Sequence, residues 1–280
     1  MTEDPTAAAP PVLVDVSGVD GVPETMLWTL RNRAIESARP DSAFDDPLAE
    51  DLYARIGDHA DFGDPSESHP LRAVAFDRVT REFLAEHPDG TVVALGEGLQ
   101  TSYWRLGRPS VRWVSVDVAE AVALRERLLP AEVGMEHLAC SALDRSWMAT
   151  VEPDDGVLVT AEGLLMYFQP DEVRSLIADC AVRFPGGAMV FDSIPVWFSD
   201  QTLDGHDVSA TYTAPPMPFG LDVDHALALG ESIPGVRSAT DIPLPAGRAL
   251  WKPELIDQLG HARPSITLLD FDTADPTGPT

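Results

Sequence analysis

The chain has 280 residues, with 46 acidic side chains against 19 basic ones and a formal net charge of -27. So anionic a surface repels phosphate backbones, which argues against a nucleic-acid substrate. No apolar run approaches the roughly 18 to 20 residues of a membrane span, and the N-terminus lacks a basic-then-apolar secretory pattern, so a cytoplasmic protein with no membrane partner is expected.

In chain order, residues 1–23 read as a flexible arm, loosest over the Ala- and Pro-rich 1–11, and 272–280 (DTADPTGPT) as a flexible tail. Residues 24–271 form one domain in three sections: a helical cap over 24–90, a ligand-binding core over 91–200, and closing elements over 201–271. Helices are predicted at 24–37, 45–57 and 71–87, the last stopped by Pro88-Asp89-Gly90. TVVALG (91–96) is the first buried strand: short, apolar, β-branched and ended by glycine. VRWVSVD (111–117) follows, then a helix over 118–129 and strands at 136–142 and 156–161. The next helix begins at Pro170, with Asp171 and Glu172 suiting its dipole and Val173, Leu176, Ile177, Cys180 and Phe184 on one face. A fifth strand covers 188–194. Alternating strands and helices predict an α/β Rossmann-like fold, mostly parallel, with a closing antiparallel edge strand from the signals at 235–243 and 266–271. Residues 201–234, interrupted by Pro and Gly, read as an irregular flap or wall. Cys140 and Cys180 read as reduced, buried thiols.

In such a sheet, ligands bind beyond the carboxyl ends of the strands. That position carries LGEGLQTSYWRL (95–106), where Gly96 and Gly98 permit a sharp turn and close backbone approach. Asp117, 21 residues beyond Gly96, stands where a carboxylate accepts both hydroxyls of an adenosine ribose. A nicotinamide dinucleotide and S-adenosylmethionine share that ribose. The dinucleotide pattern wants a third glycine at position 101, where this chain has Thr101. Glu162 is placed to pair with an ammonium, and Arg33 or Arg72 in the cap with a carboxylate. The set favours S-adenosylmethionine as cofactor.

LGEGLQTSYWRL, WVSVDVAEAVALRERLLP (113–130), ALDRSWM (142–148), AEGLLMYFQPDEVRSLI (161–177) and FPGGAMVFDSIPVWFS (184–199) resemble the leucine carboxyl methyltransferase superfamily. With RNRAIESARPDSAFDDPLA (31–49) and PPMPFGLD (215–222), they are similar to its branch of bacterial O-methyltransferases resembling the tetracenomycin polyketide methyltransferase. Glu97, Gln100 and Ser102 depart from the wider family's LGAGLDTR pattern. The resemblance implies a class I methyltransferase that binds S-adenosylmethionine through Gly96, Gly98, Asp117 and Glu162. It implies Arg72, with Arg33 second, on the methionine carboxylate, and Ala142 and Leu143 beside the adenine. The acceptor would be a small molecule, polyketide-like, methylated on a carboxylate or hydroxyl.

A carboxylate acceptor needs no base, whereas a phenol does unless its own pKa is low; His206, Tyr212 and His225 are the candidates. Tyr167, Trp197 and Phe198 are candidates for the acceptor pocket. His59, His69, His87, His137 and His261 show no metal-ligand spacing, so no metal is expected. Left open are a nicotinamide oxidoreductase, a non-catalytic S-adenosylmethionine-binding partner protein, and methylation of a protein C-terminus. Nothing in the sequence sets the oligomeric state.

Overall fold

A computed structural model describes residues 13–273. Its centre is a sheet of seven strands: β1 (Thr91–Leu95), β2 (Arg112–Asp117), β3 (Met135–Ala139), β4 (Val157–Ala161), β5 (Ala188–Ser193), β6 (Val236–Asp241) and β7 (Ser265–Phe271). Their order is β3-β2-β1-β4-β5-β7-β6. The five strands from β3 to β5 run parallel, while β7 is antiparallel to both β5 and β6. The expected closing antiparallel strand is thus β7, lying between β5 and the outermost β6. Apolar side chains on both faces make β1, β4 and β5 buried along their whole length, as a sheet covered on two sides requires.

Register decides which residues share an edge. Leu95 is level with Val116 on one side and with Ala161 on the other. The residues just beyond, Gly96, Asp117 and Glu162, therefore emerge at one rim of the sheet.

Helices α1 (Thr25–Ser37), α2 (Pro47–Ile56) and α3 (Ser68–Glu86) form the cap, near the predicted bounds. Asp46 caps α2 by accepting from the Ala49 amide at 3.1 Å, and Pro47 opens the helix. Leu27, Leu30, Ala49, Leu52 and Phe62 give the cap its own core. That core corrects the arm. Val16 and Val19 are buried in it, and the Val14 amide donates to the Arg55 carbonyl, so residues 13–23 are docked. The apolar side chains that sequence composition obscured are what hold them. Residues 1–12 and 274–280, most of the arm and tail, lie outside the described residues.

The core section adds α4 (Ser102–Arg105), α5 (Ala119–Leu128) and α6 (Pro170–Arg183). Glu172 accepts from the Gln169 amide at 2.8 Å at the start of α6, and the predicted face of Val173, Leu176, Ile177, Cys180 and Phe184 is fully buried. The closing section holds α7 (Val196–Leu203), α8 (Val223–Glu231) and α9 (Pro253–Leu259). The stretch expected to be irregular over 201–234 thus contains a helix, α8. Val223, Ala226 and Leu229 recur three apart on its buried face, and Gly230 lets it lie close on Leu269 and Ala239.

Arginines work inside the molecule. Arg33 bonds to Asp46 at 2.9 Å, to the Thr101 hydroxyl at 2.7 Å and to the Leu99 carbonyl at 2.8 Å. Arg105 of α4 reaches the same Asp46 at 2.8 Å and grips Asp77 of α3 with two bonds. This buried ladder ties α1, α3 and α4 together.

Candidate active site

The rim opens into one cavity of about 800 Å³, roofed by the cap. Its floor is the loop after β1. Gly96 and Gly98 both have positive φ, +61° and +49°, and a Cβ on Gly98 would stand 2.9 Å from the Met26 Cβ of α1. Only glycine lets the cap come this close. Asp117 holds the loop through its Oδ2, which accepts from the Gly98 amide at 2.7 Å, and its Oδ1 accepts from the Val118 amide at 2.8 Å. Each oxygen keeps further lone pairs for a ligand. Burial raises the Asp117 pKa, against the two amides that lower it.

Beneath the loop, Arg125 of α5 donates to the carbonyls of Gly98 and Gln100 at 2.9 and 2.8 Å. Glu97 pairs with Arg125 at 2.9 Å and accepts from the Trp113 indole at 3.0 Å. The departure from the family pattern at Glu97 thus has a structural partner, a buried arginine that staples the turn.

Beyond β4, Glu162 Oε1 accepts from Arg72 Nε at 3.0 Å and from the Gln100 amide at 2.5 Å. Arg72 Nη1 donates to Asp192, at the end of β5, at 2.9 Å, and Asp192 also accepts from the Gly163 amide at 2.6 Å. Arg72 Nη2 makes no hydrogen bond among the described residues. It lies where a Cβ on Gly163 would come within 2.8 Å of it. Burial works against the Arg72 charge, but Asp192 and Glu162 outweigh it and raise its pKa. Burial likewise raises Glu162, with Arg72 and Arg105 opposing. Gln100 Oε1 is buried without a partner, which is rare enough to mark a place for a ligand donor. The carboxylates, the free guanidinium edge and this orphaned oxygen fit a ligand bearing a ribose, an ammonium and a carboxylate.

The structure brings Gly96, Gly98, Asp117, Ala142, Glu162, Arg72, Tyr167, Trp197, Phe198 and His206 to this cavity. It does not bring Arg33, which is sealed in the ladder with Nη1 bonded to Asp46 and Thr101 and Nη2 to the Leu99 carbonyl. Leu143 is also a correction: it packs on the core below α6, and Ser141 lines the cavity beside Ala142 instead. Tyr212 packs edge-on against Phe62 at 4.7 Å and is not among the residues lining the cavity, and burial raises its pKa. His225 is exposed on α8, away from the cavity. Tyr167 has its pKa pushed up to about 12 by burial and stays a phenol. Gln100, Asp192, Trp28 and His69, none of them named as site residues from sequence, line the cavity too.

The strand order β3-β2-β1-β4-β5-β7-β6, with β7 inserted antiparallel and the glycine turn and the acid of β2 at one rim, is the class I methyltransferase architecture. Among solved structures, the CurJ carbon methyltransferase superposes with a TM-score of 0.52 at 10% identity, covering 89% of this chain and 68% of that one. The chain belongs to the leucine carboxyl methyltransferase family, whose profile matches residues 26–181. It is 32% identical over 223 residues to the tetracenomycin polyketide synthesis O-methyltransferase TcmP of Streptomyces glaucescens, covering 78% of this chain and 81% of that protein. It is 31% identical over 180 residues to the S-adenosyl-L-methionine-dependent methyltransferase dpfgK of Gibberella zeae, covering 56% of this chain and 59% of that one. The oxidoreductase reading falls away.

Proposed function

We propose that the chain is a cytoplasmic S-adenosylmethionine-dependent O-methyltransferase that acts on a small molecule, polyketide-like as the name of TcmP describes its own pathway. One observation carries this reading: the glycine turn, Asp117 and the Arg72–Glu162–Asp192 cluster converge on a single cavity. Asp117 would hold the ribose hydroxyls, Ser141 and Ala142 would flank the adenine, and Glu162 with Gln100 would take the ammonium. Arg72 Nη2 would take the carboxylate. When bound, this cofactor supplies a methyl group already activated on a sulfonium.

The chain's own work is then alignment and exclusion of water. Trp28, Tyr167 and Phe198 wall the remaining space, and the cap closes it from above. The cavity's size suits a donor with a small acceptor, and the acidic surface supports the exclusion of nucleic acid. Among the described residues no helix is long and apolar enough to cross a membrane.

Calorimetry with S-adenosylmethionine, S-adenosylhomocysteine and NADH tests the reading. Both sulfur ligands are expected to bind and NADH to stay silent. Failure of both sulfur ligands to bind at about millimolar concentration, the level of only about 4 kcal/mol of affinity, overturns it.

A further inference from the structure

Leu244 and Trp251 reach the cavity from outside the parallel core. They sit on residues 242–251, the strap that connects β6 towards α9 and packs on the cap. Ile242 shares a core with Ala75 and Val79 of α3, and Arg78 of the same helix donates to the Pro243 carbonyl at 2.9 Å. At Gly247 the backbone lies so close on α3 that a Cβ there would come within 2.7 Å of the Leu71 Cδ1.

Arg248 pins the strap at two further points. Its Nη2 pairs with Glu36 of α1 at 2.6 Å and also with Glu67, the residue before α3. Its backbone amide donates to the Glu67 carboxylate at 2.5 Å. Ser42 donates to the other Glu36 oxygen at 2.6 Å, so that carboxylate is itself held. Both glutamates are mostly withdrawn from water, at 12% and 14% exposure, where salt screens a pair less than on open surface.

The turn that follows is tight. The Gly247 amide donates to the Trp251 carbonyl at 3.0 Å, and the Trp251 amide to the Arg248 carbonyl at 2.7 Å. Between them Ala249 has a φ of +45°, in the left-handed region that alanine rarely enters. Such a conformation persists where its surroundings over-determine it, and here the Arg248 clamp and the two turn bonds do so. Trp251 is thereby carried to the cavity in one position, and its indole N–H has no partner among the described residues.

The sheet order assigns this end of the cavity. The groups proposed to hold the donor follow β1, β2 and β4 or come from the cap, whereas β5 and β7 lie beyond β4 on the side away from β2. Ser193, Ser265 and Ile266 of those two strands line the cavity together with Leu244 and Trp251 of the strap. That is the space left for an acceptor once the donor is in place.

We infer that Trp251 is a specificity-determining wall of the acceptor site, setting the size of ring it admits, and that Arg248 is the positioning residue that holds it there through Glu36 and Glu67. The inference rests on the methyl-transfer reading above. An indole is flat and rigid, so one side chain supplies both a stacking face and a boundary. It selects on the acceptor's ring system and is indifferent to whether the methylated oxygen belongs to a carboxylate or a hydroxyl.

The test uses full-length protein saturated with S-adenosylhomocysteine. It is titrated with 2-naphthoate and pyrene-1-carboxylate, and with 2-naphthol and 1-hydroxypyrene. W251A is expected to shift the ratio of pyrenyl to naphthyl affinity by at least about tenfold toward the larger ring in both pairs, while the S-adenosylhomocysteine Kd moves by less than about threefold. R248Q is expected to move the ratio the same way by about threefold or more, and to speed hydrogen exchange at the Trp251 amide. R248K, which keeps a cation for the glutamates, should recover part of that shift. In a W251A background R248Q should leave the ratio where W251A alone puts it, because a positioning residue then has nothing to position. An unchanged ratio in W251A or R248Q, an equal loss of S-adenosylhomocysteine affinity, fully additive effects, or no binding of any of the four ring probes would each overturn the inference. Failure of S-adenosylhomocysteine to bind the unaltered protein would instead strike at the methyl-transfer reading.

Discussion

Arg33 and Asp46 meet at 2.9 Å, with both side chains closed off from solvent. Arg33 reads as a ligand-binding candidate in the sequence, but the pair is a strut in the fold. Removing one partner of a buried ion pair leaves the other uncompensated, at a cost of about 3 to 5 kcal/mol. Asp46→Asn is therefore expected to lower the unfolding free energy by about that much in urea titrations. Burial opposes the Asp46 charge, but Arg33 and Arg105 outweigh it and lower its pKa. Its contribution is thus complete above the ordinary carboxylate pKa of about 4, and is lost as pH falls through the lower folded value. The variant should lack that part of the acid limb; an unchanged limb would place the stabilisation elsewhere.

Asp117→Ala removes the carboxylate that faces the proposed ribose. S-adenosylhomocysteine affinity is expected to fall by about 1 to 3 kcal/mol, the worth of hydrogen bonds to a charged group. Calorimetry reads this directly, and an unaltered Kd would take Asp117 out of the site.

Gly98→Ala puts a methyl 2.9 Å from the Met26 Cβ at a backbone φ of +49°. The left-handed conformation alone costs about 1 to 2 kcal/mol, and the cap must also retreat. Ligand affinity should fall more than thermal stability, because the loop belongs to the cavity floor. A loss of melting temperature with intact affinity would contradict this.

Donor affinity should also depend on pH. Burial raises the pKa of Glu162 and of Asp117 in the free protein, and the ligand's ammonium and hydroxyls require the ionised forms. Protonation of the free protein therefore competes with binding. S-adenosylhomocysteine titrations across acid pH should show affinity starting to decline above the ordinary carboxylate range, and Glu162→Gln should flatten that decline.

Much of this was legible because the parallel core is written in simple patterns. TVVALG announces a buried strand, and the acid at Asp117 and the acid at Glu162 each follow a strand end, so strand register alone brings them together. Local sequence leaves Arg33 and Arg72 as equal cap arginines, and only the family resemblance ranks Arg72 first; burial then separates the strut from the residue at the cavity. Asp192 and His69 gave no local signal, since their meaning comes from the rim and the cap packing over it. Helix α8 was obscured by the prolines and glycines around it, although its apolar spacing was present.

The inward use of arginine has an outward consequence. The 19 basic side chains of the chain include a single lysine, and Arg33, Arg72, Arg105 and Arg125 are all withdrawn into ion pairs beneath the surface. Asp46, Asp77, Glu97, Glu162 and Asp192 are withdrawn with them, so the buried pairs nearly cancel and the exterior still carries almost the whole net charge of -27. Two copies approaching in dilute buffer meet carboxylate with carboxylate. Their mutual avoidance fades as added salt shortens the reach of charge to a few ångströms.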